Sequence, residues 1–301
     1  MNLSQLRYFV AVAELENLSL AASRLRIAQS AVSRQIRLLE EELGVLLLER
    51  VGRGVLLTEA GRTLLERSRH LFEEIESIRS EVVDRSVVPS GTLRIGVNPS
   101  LGHTLFPLVA ARCRADYPNI KLHLVADLTS PVQEWLRRGE LDFAIVSFPE
   151  RDQEVVSTPL TREQIFLISA AANAPELGAE CTIRSIEDLP LILPGLPNRE
   201  RLGYERLAAT QGYKLTCHIE CDSLPVMKSL AQAGLGHLLL PYIAIAEDRS
   251  QPSWKVARIR EIAVERHIVR SVRRPVTTAM AVVTGIIKDE VEKLRQSGAI
   301  R

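Results

Sequence analysis

Residues 18–37, LSLAASRLRIAQSAVSRQIR, decide the architecture, because two short helical patterns lie either side of a break. Ser19 is an expected N-cap for the first, with Ala22 and Leu25 three residues apart on one face. Arg26-Ile27-Ala28 has room for a turn, and from Ser30 a second helix runs to about Leu43. On it Val32, Ile36, Leu39 and Leu43 fall at i, i+4, i+7 and i+11, one buried stripe. Ser30, Ser33, Arg34 and Arg37 share the opposite face, with Gln29 just ahead of the helix. These side chains can read base edges or hold phosphates, and they cluster at the end of a recognition helix that enters the major groove. The stretch holds Arg24, Arg26, Arg34 and Arg37 and no acid.

Working outward, Leu3, Leu6, Phe9, Val10 and Ala13 form the stripe of a first helix that can pack beneath this pair. Val45 to Glu49 and Val55 to Thr58 are short apolar runs around Gly52-Arg53-Gly54, which reads as a two-stranded turn. Arg50 and Arg53 would project from it toward phosphates or a minor groove. Thr58 is an expected N-cap, and Glu59 in the first turn suits the helix dipole. From there Leu64, Leu71, Ile75, Ile78 and Val82 step by threes and fours, with Ser68 as a polar exception, and no proline intervenes before Pro89. A heptad seam of this length predicts a helix that pairs with a copy of itself.

The order of pieces resembles the winged helix-turn-helix of the LysR-type transcriptional regulators. The resemblance rests on Leu3-x-x-Leu6-x-x-Phe9, Ala21-Ala22-x-x-Leu25 and Gln29-Ser30-Ala31-Val32-Ser33-Arg34-Gln35-Ile36. It continues through Leu39-Glu40-x-Glu42-Leu43-Gly44, Glu49-Arg50 and Leu57-Thr58-Glu59-Ala60-Gly61. Two positions depart from the common pattern: Ala28 stands where a capping Ser is frequent, and Ser30 where Pro is frequent. Ser30 as the substitute cap would shift the helix start by a residue and remove it from base contact. The resemblance implies double-stranded DNA as partner, dimers through the long helix and tetramers of those, RNA polymerase as a further partner, and a small-molecule effector acting as co-inducer.

Bulk properties fit a soluble protein and give little away. The chain has 301 residues, 46% hydrophobic and 25% charged, so two or three compact units are expected. A net charge of +1 provides no global basic field, and residues 1–58 hold seven Arg against six Glu. DNA affinity must therefore come from local arrangement. Few aromatic residues (4%) argue against single-strand stacking platforms. With no leader pattern and no run long enough to span a bilayer, a cytoplasmic protein without membrane contact is expected. Cys113, Cys181, Cys217 and Cys221 have no disulfide-framework spacing.

Val88-Pro89-Ser90-Gly91 breaks the long helix and reads as a hinge. Beyond it, strands over 92–97, 121–126 and 141–146 alternate with helices over 105–117 and 131–138. A second set has strands near 165–170, 191–193, 215–220 and 237–240, with helices near 198–211 and 224–233. A strand near 267–272 and a helix over 277–296 close the chain. Such alternation predicts a parallel sheet. Landmarks such as Gly139-Glu140-Leu141-Asp142-Phe143-Ala144-Ile145 and Ala233-Gly234-Leu235-Gly236-x4-Pro241 resemble the same family's effector domain, two α/β lobes like periplasmic binding proteins. The expected layout is multidomain. An all-α-dominated winged helix-turn-helix covers 1–58, a linker helix 59–87, a hinge 88–91, and a two-lobed α/β effector domain 92–301. Lobe I would take about 92–162 and 266–301, and lobe II about 163–265.

Open α/β sheets bind ligands outside the carboxyl ends of their strands. Those ends supply Ser100, Leu101 and His103 after the first strand, Thr129 and Ser130 after the second, and Ser147 and Phe148 after the third. In the second lobe they supply Pro197, Asn198, Arg199 and Arg201. Hydroxyls and helix N-termini favour anions, and Arg can hold a carboxylate bidentately, so a small carboxylate is the expected effector. Ser100 and Thr129 also match positions where the family contacts effectors. No cofactor, metal set or catalytic motif is expected. Cys217-His218-x-x-Cys221 lacks a fourth converging ligand and reads as strand packing, and Gly234-Leu235-Gly236 as a helix cap. The rival reading is an enzyme or solute-binding protein whose lobes act alone.

Overall fold

The computed structural model describes residues 1–51, 54–83, 89–149, 154–250 and 254–301. The chain separates into two compact units, Met1–Val87 and Val88–Arg301.

The first unit runs α1 (Leu3–Leu15), α2 (Leu18–Leu25), α3 (Gln29–Leu43), β1 (Leu48–Val51), β2 (Gly54–Leu57) and α4 (Glu59–Val83). Asn2 and Gln5 form a capping box at the start of α1. Leu6, Phe9, Val12 and Ala13 are buried, but Leu3 from the expected stripe is 47% exposed. The cap of α2 is Asn17, whose Oδ1 accepts from the amides of Ser19 and Leu20; Ser19 lies inside the helix instead of capping it. Arg26, at φ 57°, ends α2 in the left-handed conformation. Val32, Ile36 and Leu39 are buried on α3, whereas Leu43, one turn further, is 39% exposed.

Several family-motif residues acquire physical reasons. Glu40 accepts the amides of Leu47 and Leu48 at 2.8 and 3.1 Å, fixing where the chain leaves α3 for β1. A Cβ on Gly61 would stand 2.1 Å from the Leu47 carbonyl oxygen, so α4 can cross that segment only at a glycine. The expected cap is present: the Gly61 amide donates to Thr58 Oγ1 at 2.9 Å. The first turns of α4 pack Leu64, Leu65 and Phe72 on the core, while Leu71 remains 41% exposed. Side chains of Ile78 and Val82 lie outside the described residues.

The second unit contains β3 (Gly91–Val97), α5 (Pro99–Asp116), β4 (Ile120–Ala126), α6 (Thr129–Arg138), β5 (Phe143–Ser147) and β6 (Val155–Ala170). It continues with β7 (Glu180–Cys181), α7 (Ile183–Ile186), β8 (Leu191–Leu193), α8 (Arg199–Ala209), β9 (Cys217–Glu220) and α9 (Leu224–Gln232). It closes with β10 (His237–Pro241), β11 (Trp254–Ser271) and α10 (Thr278–Gln296). Among the described residues the strands make one sheet, ordered β4-β3-β5-β11-β6-β10-β8-β9, with β7 on β11. The sheet is mixed, not purely parallel. β6 and β11 pair antiparallel along almost their whole length, and β6 and β5 are antiparallel to their neighbours β10 and β11. β6 and β11 each run unbroken through the residues at which the two lobes were expected to divide. Separate apolar cores form under α5 and α10 at one end and under α8 at the other. Cys217 packs on the α8 side and Cys221 against the core with α9, separated by a register shift between Leu191 and Ile192 in the β8–β9 pairing.

Candidate nucleic-acid interface and small-molecule cleft

On α3 the polar strip is available. Gln29, Ser30, Arg34 and Arg37 are exposed and Ser33 is half-buried, while Val32, Ile36 and Leu39 hold the helix down. The helix begins at Gln29. Ala28 occupies the N-cap with no side-chain bond, so Ser30 is not consumed as a cap and stays on the outer face. The Ala31 amide already donates to the Ala28 carbonyl at 3.0 Å, and the remaining first-turn amides and the positive end of the helix dipole add to the side chains at that end. Arg37 lies 3.9 Å from Glu41, an exposed pair of small worth. The wing strands pair as expected, with Arg50 opposite Val55, and the Val55 amide donates to the Glu16 carbonyl at 3.0 Å. Arg53 and the side chain of Arg50 lie outside the described residues.

In the second unit, the helix after β3 starts at Pro99, so Ser100, Leu101 and His103 occupy its first turns and not a loop. Leu101 faces the apolar core with no exposure, which leaves it a packing role. His103 is exposed. Ser100 is buried and accepts from Arg266 Nη2 at 3.0 Å. Thr129 is fully buried and accepts from Asn98 Nδ2 at 2.8 Å. Ser130 reaches across the sheet halves to donate to the Pro197 carbonyl at 3.2 Å. Asn198 caps α8 by accepting from the Arg201 amide. Arg201 itself is buried, bonded to Glu205 and Glu220 at 2.8 and 2.6 Å and to the Pro194 carbonyl. Its charge is spent on the scaffold, so its expected role as an effector contact is corrected.

Phe148 adopts φ 50°, the left-handed region that a bulky residue occupies at a cost of about 1–3 kcal/mol. Its ring stands edge-on to Tyr204 with centroids 6.2 Å apart and fills the place a side chain at Gly203 would take. Ser130, Phe148, Pro197, Arg199, Leu202, Gly203 and Arg206 line a cavity of about 410 Å³, a size suited to a small metabolite. Two guanidinium groups and no carboxylate border it.

Behind Phe148 lies a cluster the sequence reading missed. Arg266 is fully buried on β11 and bonded to Glu163 of β6 at 2.7 and 3.1 Å. Burial strips solvation from the Arg266 cation, but Glu163 at hydrogen-bonding range more than offsets this and holds it charged. Burial pushes the Glu200 carboxyl above the usual carboxylate range, against the opposing pull of Arg266 and Ser147. Burial likewise holds the Tyr204 phenol protonated. Several buried atoms here find no protein partner of good geometry: Arg266 Nη1, Ser147 Oγ, Asn98 Oδ1, Gln133 Oε1 and Asn198 Nδ2. Such atoms are costly unless something polar meets them. A signal was legible in retrospect. Arg266 breaks the alternation Ile262, Val264, Ile268, and Glu163 opens the alternation Ile165, Leu167.

Residues 3–62 match the family model for the bacterial regulatory helix-turn-helix protein of the lysR family, and residues 87–292 match the LysR substrate binding domain. The chain belongs to the LysR family. The "Hydrogen peroxide-inducible genes activator" of Haemophilus influenzae is 26% identical over 298 residues, 98% of each chain. The "HTH-type transcriptional regulator ClcR" of Pseudomonas putida is 31% identical over 245 residues, 80% of this chain and 83% of that one. Among solved structures, a Corynebacterium glutamicum OxyR C206 mutant superposes with a TM-score of 0.67 at 26% identity, covering all of this chain and 96% of that one. This LysR-type protein is a DNA-binding transcriptional regulator with a small-molecule effector domain, not an enzyme. Among the described residues, no helix is long and apolar enough to cross a membrane.

Proposed function

We propose that this regulator reads a partly palindromic operator with α3 in the major groove, and that a small carboxylate bound between the two halves of its second unit sets how it sits on DNA. Gln29, Ser30, Ser33, Arg34 and Arg37 would supply base and phosphate contacts, and Arg50 and Arg53 of the wing would hold the backbone. The exposed polar strip at the uncapped start of α3 carries this reading. Two such helices come from a dimer through α4, where the exposed Leu71 lies on the seam, and pairs of dimers give the tetramer. RNA polymerase is the further partner through which bound regulator would act, in the cytoplasm. The domain limits at 58, 87 and 91, and the lobes at about 92–162 with 266–301 and 163–265, are part of the same proposal. A gel shift on genomic fragments tests it: salt-sensitive, sequence-selective retardation is expected, and retardation of every fragment alike would overturn it.

The carboxylate fits the outer cavity, where Arg199 and Arg206 meet Ser130 and Phe148 without an acid in the lining. Farther in, Arg266 is already neutralised by Glu163, so the buried end of the effector should be neutral and hydrogen-bonding. No cysteine stands in this lining. Cys113 and Cys181 are buried in separate apolar cores, and burial pushes the Cys181 thiol up to about 11. Calorimetry of the full chain against matched carboxylates and amides tests the effector class. Binding confined to carboxylates and weakened by Arg199→Gln supports it; preference for the amides overturns it.

A further inference from the structure

A second cavity, of about 320 Å³, lies away from the cleft, between α10 and the strands β5, β6 and β11. Phe143, Val156, Ile268 and Met280 make its walls apolar, and two cations, Arg270 and Lys288, stand beside them. No acid is in the lining. Nearby cations are paired: Arg273 with Glu154, Arg274 with Asp142, and Lys293 with Glu290. Arg270 by contrast donates to the Ser271 and Arg274 carbonyls at 3.1 and 3.3 Å. Neither it nor Lys288 belongs to an ion pair among the described residues. An apolar chamber of this size beside two uncompensated charges matches a molecule with a hydrocarbon body and one negative head.

We infer that this cavity is a second ligand site, taking an amphiphilic monocarboxylate with its tail among Phe143, Ile268 and Met280 and its head on Lys288 and Arg270. The site is placed to influence the cleft. Ile268 and Arg270 follow Arg266 at i+2 and i+4 on β11, and Phe143 lies on the strand that ends at Ser147. Gly285 offers a way to close it: it lines the cavity on α10, its φ is not positive, and an added Cβ would meet nothing within 4 Å.

The test is calorimetry of the full chain with octanoate, and with octanamide as the uncharged match, in an Arg199→Gln background that weakens the outer cleft. One octanoate per chain is expected, with octanamide at least about tenfold weaker. Gly285→Leu should abolish the heat while DNA binding and melting temperature hold, since leucine is a better helix former than glycine. The exposed Lys288→Gln should weaken octanoate about tenfold, and Lys288→Arg should restore it. Absence of octanoate heat, equal binding of octanamide, or an isotherm unchanged by Gly285→Leu would each overturn the site.

Discussion

Arg266 shows what a single residue does here. Its guanidinium has no contact with solvent, and Glu163, almost as deeply buried, is its charge partner. Removing one partner of such a pair typically costs about 3–5 kcal/mol, while replacing both by apolar groups costs far less. Glu163→Leu and Arg266→Met should each lower the urea midpoint strongly, and the double variant should recover most of the loss. Additive losses would contradict the account. Glu200 makes a pH-dependent prediction. Its folded pKa is raised, so its favourable contribution is present below the unfolded carboxylate value and is lost as pH rises through the folded value. Glu200→Gln should therefore raise the melting temperature at about pH 8 and leave it unchanged at about pH 4. Arg266 and Glu163 escaped the sequence reading, because a charge inside an alternating apolar run looks like the end of a strand. Burial turned it into the middle of one.

Elements differ in how plainly the sequence announces them. α3 was legible from its stripe because a 3.6-residue period survives any tertiary context, and only its last apolar residue, Leu43, fell off the core. The start of α5 was misplaced by six residues. Pro99 sits in its first turn, where proline is favoured, and the residues up to Thr104 carry no apolar period that announces the helix. β6 and β11 were read as short because their pairing slips between Arg258 and Ala263, so the alternation changes face midway. The uncapped entry to α3 gives a prediction at this scale. Ala28→Ser places a hydroxyl at an extended N-cap and should stabilise the first unit by about 1 kcal/mol, measured by thermal melting. Gly61→Ala should do the reverse, since its Cβ would collide with the Leu47 carbonyl. Arg34→Ala should leave stability alone and reduce discrimination at one base pair by about 1–3 kcal/mol.

At the scale of the whole molecule, one chain joins an address on DNA, in its first unit, to a chemical input, in its second. The candidate effector residues were only partly legible, since strand ends can be listed from sequence while their burial cannot. Ser100, Thr129, Ser130 and Asn198 came out tied to neighbours, and Arg201 was absorbed by Glu205 and Glu220. The proposed dimerisation through α4 makes Leu71→Glu a direct probe. Sedimentation should show a smaller species, and affinity for a two-half-site operator should drop steeply, because each monomer then binds one half-site. The most direct test of the central claim is fluorescence anisotropy of the full chain on a DNA site enriched from random sequence, against a scrambled duplex of the same length. The account predicts a preference of at least about a thousandfold at physiological salt, reduced by about 1–3 kcal/mol for each contacted base pair when Arg34 is replaced by alanine. Equal affinity for the two duplexes, or a preference indifferent to Arg34, would contradict it.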